Sequence, residues 1–317
     1  MSKTVCLLWV DDFETYEQAL AGAGLADRFE LHCLKRGESV PDDLVPRVEV
    51  LAGWQPGPWL ARATRLRWIQ AMTAGVESWL ASPDLRSDVT LCCARGSHRL
   101  SMPENILGAL FHLTKPYAAI ALDQKESRWT RRIAVPLAGQ TLGILGIGEV
   151  GKELARKAAA LDLRVIGTKR TPAPVPYVAK VCATEQTDEV LRESDFVVLL
   201  MPATAETDNF MNAARLRAMK PTAWLLNFAR GSLVVDADLI DAVRTKTIAG
   251  AVLDVFREEP LPATHPFWKT DGILVLPHIG GGHPRRGAAV AEIFVDNARR
   301  FLAGEPFATA VDRARGY

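Results

Sequence analysis

The chain has 317 residues, of which 48% are hydrophobic and 24% charged, the composition of an ordinary globular protein with enough length for two domains. Thirty-eight basic side chains against 37 acidic ones leave a formal net charge of +1, so the charge balance gives no reason to expect nucleic acid or an anionic membrane as partner. Five cysteines exclude a disulfide framework: Cys6, Cys33, Cys92, Cys93 and Cys182 are odd in number, mostly embedded in apolar runs and without metal-ligand spacing, and they read as buried free thiols of a reducing cytoplasm.

The opening Met1-Ser2-Lys3-Thr4 runs into a strand-like stretch and then Asp11-Asp12, too short and too soon acidic for a signal peptide. No apolar run is long enough for a bilayer. Short apolar runs then alternate with helical segments: Val5–Val10, Glu14–Ala23, Glu30–Cys33, Val48–Ala52, Leu66–Gln70 and Val89–Cys93. Such alternation predicts a parallel sheet covered by helices. From Pro103 to about Lys125 apolar residues recur at helical spacing (Ile106, Leu107, Leu110, Leu113), which predicts one long helix with its proline in the first turn.

A second series begins after it, with strands predicted at Thr141–Ile147, Leu163–Thr168, Phe196–Met201, Ala223–Asn227, Ala249–Val255 and Ile273–Leu276, and a last helix over Ala288–Leu302. The fold class expected is α/β, with two doubly wound parallel-sheet domains: a Rossmann dinucleotide-binding domain (residues 101–283) inserted into a flavodoxin-like substrate domain (1–100 plus 284–317).

Gly146-Ile147-Gly148-Glu149-Val150-Gly151 follows an apolar strand and opens an amphipathic helix (Val150, Leu154, Ala155, Ala158, Leu161). Alone, a G-x-G-x-x-G is weak. Between strand and helix it points to a pyrophosphate site, because the glycines permit a tight turn, backbone approach and close helix packing, and the helix N-terminus offers free N–H groups. NAD-selective domains carry a carboxylate at the end of the second strand. Here that position reads Thr168-Lys169-Arg170-Thr171. Two cations and two hydroxyls suit a ribose 2′-phosphate, so NADPH is expected in preference to NAD, although charged residues after a strand are also common surface features.

Ligands of open α/β sheets bind beyond the carboxyl ends of the strands. At that edge the predicted strands deliver Met201-Pro202-Ala203-Thr204, Ala229-Arg230-Gly231, Asp254 with Glu258-Glu259-Pro260, and Pro277-His278. Singly, each has an ordinary structural explanation. Together, an arginine, a carboxylate and a histidine beside a glycine loop suit reduction of a keto acid: the histidine protonates the carbonyl oxygen, the carboxylate holds its far nitrogen, and the arginine grips the substrate carboxylate.

These segments, with Thr207, Met219-Lys220-Pro221, Asn227-Phe228-Ala229-Arg230-Gly231, Leu253-Asp254-Val255-Phe256 and Pro277-His278-Ile279, resemble the D-isomer-specific 2-hydroxyacid dehydrogenase family in order and spacing, over nearly the whole second domain. The resemblance implies Arg230 as substrate clamp, Glu259 as orienter and His278 as acid/base. It implies a cofactor surface at Met102, Gly146, Gly148, Glu149, Val150, Gly151, Thr168, Lys169, Arg170, Met201, Pro202, Thr207, Phe228, Ala229, Asp254 and His278. It implies backbone N–H groups at Ala74, Gly75 and Val76 for the substrate carboxylate, no metal, and a homodimer.

Within the family the sequence is most similar to glyoxylate/hydroxypyruvate reductases of the bacterial A type, through Lys169-Arg170 and the tail Val311-Asp312-Arg313-Ala314-Arg315-Gly316-Tyr317. Trp54 falls where such enzymes place a tryptophan facing the substrate; a plain hydrophobic loop residue is the alternative. Met72-Thr73-Ala74 and Gly280-Gly281-Gly282-His283 depart from the family pattern, which leaves the keto acid open: glyoxylate, hydroxypyruvate or a bulkier one. The competing class is a nucleotide-sensing protein of the same fold without turnover.

Overall fold

The computed structural model describes residues 3–317; Met1 and Ser2, which open the segment read above as too short for a leader, lie outside the described residues. In chain order the elements are β1 (Thr4–Trp9), α1 (Phe13–Gly22), β2 (Phe29–Leu34), β3 (Val50–Gly53), β4 (Trp68–Ala71), α2 (Glu77–Leu80), β5 (Thr90–Cys92), α3 (Ser101–Thr114), α4 (Tyr117–Lys125), β6 (Thr141–Leu145), α5 (Glu149–Ala159), β7 (Arg164–Thr168), β8 (Lys180–Cys182), α6 (Thr187–Glu193), β9 (Phe196–Leu199), α7 (Ala213–Ala218), β10 (Trp224–Asn227), α8 (Asp236–Arg244), β11 (Gly250–Leu253), β12 (Ile273–Val275) and α9 (Arg286–Ala303). They form two compact units, one of residues up to Ser97 with His283–Tyr317, the other His98–Gly282. The sequence reading puts these divisions at 100/101 and 283/284.

The first unit is a five-stranded parallel sheet in the order β2-β1-β3-β4-β5, the flavodoxin-like arrangement. Its central strands are apolar on both faces because both are covered: Leu7, Leu51 and Ile69 face one core, Cys6, Leu8, Val50 and Trp68 the other. α9 returns the chain to this second face, where Phe294 stacks on Trp68 with ring centres 5.2 Å apart. Asn297, fully buried on the same helix, donates to Gln70 Oε1 and Thr309 Oγ1, both at 2.8 Å, so its amide is satisfied within this core.

The second unit is a seven-stranded parallel sheet, β12-β11-β10-β9-β6-β7-β8. Strand order reverses between β6 and β9, the switch point at which such sheets leave a crevice. β8 is absent from the sequence reading: three residues on the sheet edge after a proline-rich connection carry too little periodicity to be seen.

The predicted single helix over 103–125 is corrected to two. α3 ends at Thr114, Lys115 is extended (φ −113°, ψ 134°), and Pro116 caps α4. The cause is local: a residue before proline is driven out of the helical region by the pyrrolidine ring. Of the five cysteines all are free, as read, but Cys33 is only half-buried. Among the described residues no helix is long and apolar enough to cross a membrane, and no cluster of His, Cys, Asp and Glu could hold a metal.

Candidate active site

The glycine loop leaves β6 and enters α5 at the switch point. Gly146 has φ +101°, and a Cβ there would stand 2.7 Å from the Met201 amide nitrogen, so both torsion and space demand glycine. Gly151 brings α5 down on the loop: a Cβ would lie 3.1 Å from the Gly146 carbonyl oxygen. Gly148 differs, since a Cβ would meet nothing within 4 Å. The exposed backbone there is open to a ligand, and the first-turn N–H groups of α5 (Glu149, Val150, Gly151) have no acceptor within their own helix. This combination fits a dinucleotide pyrophosphate.

At the end of β7 Thr168 is buried, its carbonyl accepting the N–H groups of Gly146 (3.3 Å) and Ile147 (2.9 Å), so it builds the loop. Lys169 and Arg170 follow it toward solvent with no carboxylate in that segment. After β9, Thr207 Oγ1 donates to the Pro202 carbonyl and accepts from the Thr204 amide, both at 2.8 Å. It therefore folds the Met201–Thr207 turn. Phe228 and Ala229 bury their side chains in the two cores of this unit, leaving only their backbone for a ligand. Met102, in the first turn of α3, packs partly against the same core as Phe228.

The Arg230 turn is shaped by Asn227, whose buried side chain donates to the Arg230 carbonyl (2.8 Å) and accepts from the Ala229 amide (3.1 Å). Asn227 appears in the sequence only as part of a motif; its place at a strand end, where Asn readily bonds its own following backbone, is the signal for this role. Gly231 lets the next segment cross, because a Cβ would overlap the Phe256 carbonyl carbon at 2.0 Å. That crossing brings the 256–259 turn beside Arg230. There Glu259 Oε1 accepts the Phe256 amide at 2.9 Å and Oε2 lies 2.6 Å from His278 Nδ1. The His278 side chain is 52% exposed, and its Nε2 has no protein partner among the described residues.

Asp254 braces the histidine loop. It is 1% exposed, and its two oxygens accept the Ile279 (2.7 Å) and Gly280 (2.8 Å) amides. Burial raises its pKa from the ordinary aspartate value, opposed by those two N–H groups and by the nearby histidine. His278, held between this brace and a 3.0 Å bond from its own amide to the Leu276 carbonyl, takes φ +51°. The glycines after it are packing glycines: a Cβ on Gly280 would stand 2.5 Å from Asp254 Oδ2, and one on Gly281 2.5 Å from His98 Nδ1. Asn105 on α3 donates to the Gly280 carbonyl (3.0 Å) and Ser101 to the Gly282 carbonyl (3.0 Å). His98, Ser101 and Asn105 are missing from the sequence reading because their partners lie more than 170 positions away.

In the first unit the 72–76 turn is closed by Thr73 Oγ1, which donates to the Gly75 carbonyl (2.5 Å). Ala74 and Gly75 are half-buried, whereas Val76 turns its side chain into the core. Trp54 is half-buried too; its Nε1 has no acceptor among the described residues, and the guanidinium carbons of Arg36 and Arg286 lie 5.6 and 4.7 Å from its ring centre.

Residues 107–280 match the family model described as D-isomer specific 2-hydroxyacid dehydrogenase, NAD binding domain. A glyoxylate reductase of Thermococcus onnurineus is 42% identical over 177 residues, 55% of this chain and about half (52%) of that protein's length. The glyoxylate/hydroxypyruvate reductase A of Yersinia enterocolitica is 28% identical over 89% of this chain and 90% of its own. A crystal structure of a D-isomer specific 2-hydroxyacid dehydrogenase from Xanthobacter autotrophicus, in complex with NADPH and MES, superposes over the whole of both chains with a TM-score of 0.88 at 31% identity. A glycine loop at a Rossmann switch point and this match over more than half its length agree: the chain belongs to the D-isomer specific 2-hydroxyacid dehydrogenase family and is an NAD(P)-dependent 2-hydroxyacid dehydrogenase.

Proposed function

We propose that the chain reduces a small 2-keto acid, glyoxylate, hydroxypyruvate or similar, to the D-2-hydroxy acid with NADPH as the preferred cofactor. The observation that carries this reading is the 2.6 Å contact of Glu259 Oε2 with His278 Nδ1. A carboxylate accepting from Nδ1–H fixes the ring and leaves Nε2 to donate a proton to the substrate carbonyl oxygen. Arg230, on the neighbouring turn, grips the substrate carboxylate and polarises the carbonyl. NADPH, when bound, supplies the hydride. The open backbone at Gly148 and the α5 first turn would hold its pyrophosphate, and Lys169 with Arg170 its 2′-phosphate. The backbone of Ala74, Gly75 and Val76, with Trp54, is assigned to the substrate.

Complexes with NADPH among similar structures, and relatives named as glyoxylate reductases, support the cofactor and substrate class. The five free cysteines suit a reducing cytoplasm. A homodimer is supported by the segment around α4. Tyr117, Leu122, Trp129 and Ile133 are 72%, 61%, 96% and 94% exposed, although buried Asp123 anchors the segment through Arg128 (3.1 Å) and Arg132 (2.7 Å). An ordered apolar surface of that kind is suited to a second copy.

The test is the loss of nicotinamide absorbance with NADPH or NADH and a panel of 2-keto acids. Faster oxidation of NADPH supports the reading. Nucleotide binding with no oxidation across the panel favours a nucleotide-sensing protein.

A further inference from the structure

Arg286 opens α9 and is half-buried. Its Nη2 donates to the Met72 carbonyl at 2.5 Å, at the start of the 72–76 turn, and its guanidinium lies against Trp54. Among the described residues no carboxylate comes within ion-pair distance of it. Asp12 and the buried Tyr16 hydroxyl are its acidic surroundings, and burial still pushes its pKa down. A guanidinium that loses water without a paired anion is costly to keep.

Arg36, the second cation at the same indole, has a 3.7 Å side-chain contact with Asp11 between two exposed side chains, a pairing worth little. The buried Trp54 Nε1 adds another donor without an acceptor among the described residues. This corner of the first unit is therefore rich in donors: two guanidinium groups border one indole, with Asp11 and Asp12 as their nearby carboxylates.

We propose that Arg286 and Arg36, beside Trp54, form a subsite for a second anionic group of the substrate, so that the preferred acid is a 2-keto acid with a carboxylate or sulfonate at its far end. This rests on the reading that Trp54 and the 74–76 turn face the substrate, and it narrows the substrate class within it. A planar guanidinium binds carboxylate and sulfonate oxygens through charge-assisted hydrogen bonds, and the indole face keeps it desolvated and oriented.

The experiment compares kcat/KM with NADPH for the dianions 2-oxosuccinate and 3-sulfopyruvate against the monoanions 2-oxobutanoate and hydroxypyruvate, whose far ends are neutral, on the full chain and its variants. The wild type is expected to favour the dianionic acids by about tenfold or more, and Arg286→Met to lower that ratio by about tenfold. Arg36→Met should lower it by about threefold, as an exposed charge does, and Arg285→Met on the exposed neighbour should leave it unchanged. If Arg286→Met fails to fold, Arg286→Lys keeps the charge without the fork and should retain part of the ratio. A ratio near one in the wild type, or one that survives Arg286→Met and Arg36→Met together, overturns the subsite.

Should no keto acid be turned over, calorimetric binding of 2-oxosuccinate against 2-oxobutanoate decides. Arg286-dependent preference for the dianionic acid keeps the subsite while the reductase reading falls; equal binding, or a preference indifferent to Arg286, rejects the subsite.

Discussion

Glu259 ties two turns together through His278: one carboxylate oxygen holds the imidazole Nδ1 at 2.6 Å while the other takes the Phe256 amide at 2.9 Å. The ring orientation therefore depends on a residue nineteen positions away whose own position is set by backbone. His278→Ala should lower kcat by about 10²–10⁴-fold, the usual worth of a general acid, while NADPH binding, followed by protein fluorescence, stays intact. Glu259→Gln should fall between that variant and the wild type and change the pH profile of kcat/KM, because an amide can present a donor to Nδ1 and support the wrong tautomer. A profile identical to wild type would remove Glu259 from the mechanism.

Asp254→Asn should lower stability by about 1–3 kcal/mol near neutral pH, since an amide can replace only one of two buried acceptor oxygens. The pH dependence has a definite sign. A carboxylate whose folded pKa is raised, here by burial, contributes stability that is full below its unfolded pKa and is lost as pH rises through the folded value. Asp254→Asn lacks that loss, so its deficit relative to wild type should narrow as pH rises through the acid range. Urea titrations at several pH values check this, and a deficit that widens would contradict it.

The two loop glycines should separate folding from binding. Gly146→Ala combines φ +101° with a 2.7 Å approach to the Met201 amide and should cost about 1–3 kcal/mol of stability. Gly148→Ala has free space around its Cβ and extended backbone at φ −98°, ψ −155°, so stability should stay within about 0.5 kcal/mol. NADPH affinity should nevertheless fall, because the methyl group would occupy the ligand's approach. Unchanged affinity in Gly148→Ala would move the pyrophosphate elsewhere.

Replacing Lys169 and Arg170 together with Ser should lower the kcat/KM ratio of NADPH to NADH by about tenfold, mainly through NADPH, as expected when a phosphate loses its cationic partners. An unchanged ratio would leave these side chains as surface charge.

Trp129→Glu with Ile133→Glu should give a monomer in sedimentation equilibrium, because charges on exposed apolar side chains prevent a second copy from covering them. A monomeric wild type would reject the dimer outright.

Sequence alone determined the alternation of strands and helices, the glycine loop, and the strand ends that carry Arg230, Glu259 and His278, because each follows from local periodicity or from the torsional freedom of single residues. It also contained the break at Lys115-Pro116, a local rule that the apolar spacing on either side obscured.

Tertiary structure decided what rests on partners remote in sequence. Asn105 and Ser101 support the loop after His278, His98 requires Gly281, Asp254 gives both oxygens to the Ile279 and Gly280 amides, and Arg286 settles on Trp54 and the Met72 carbonyl. No window along the chain carries these pairings, since hydrogen bonds and packing contacts act over a few ångströms of space, and only the folded chain brings such residues that close.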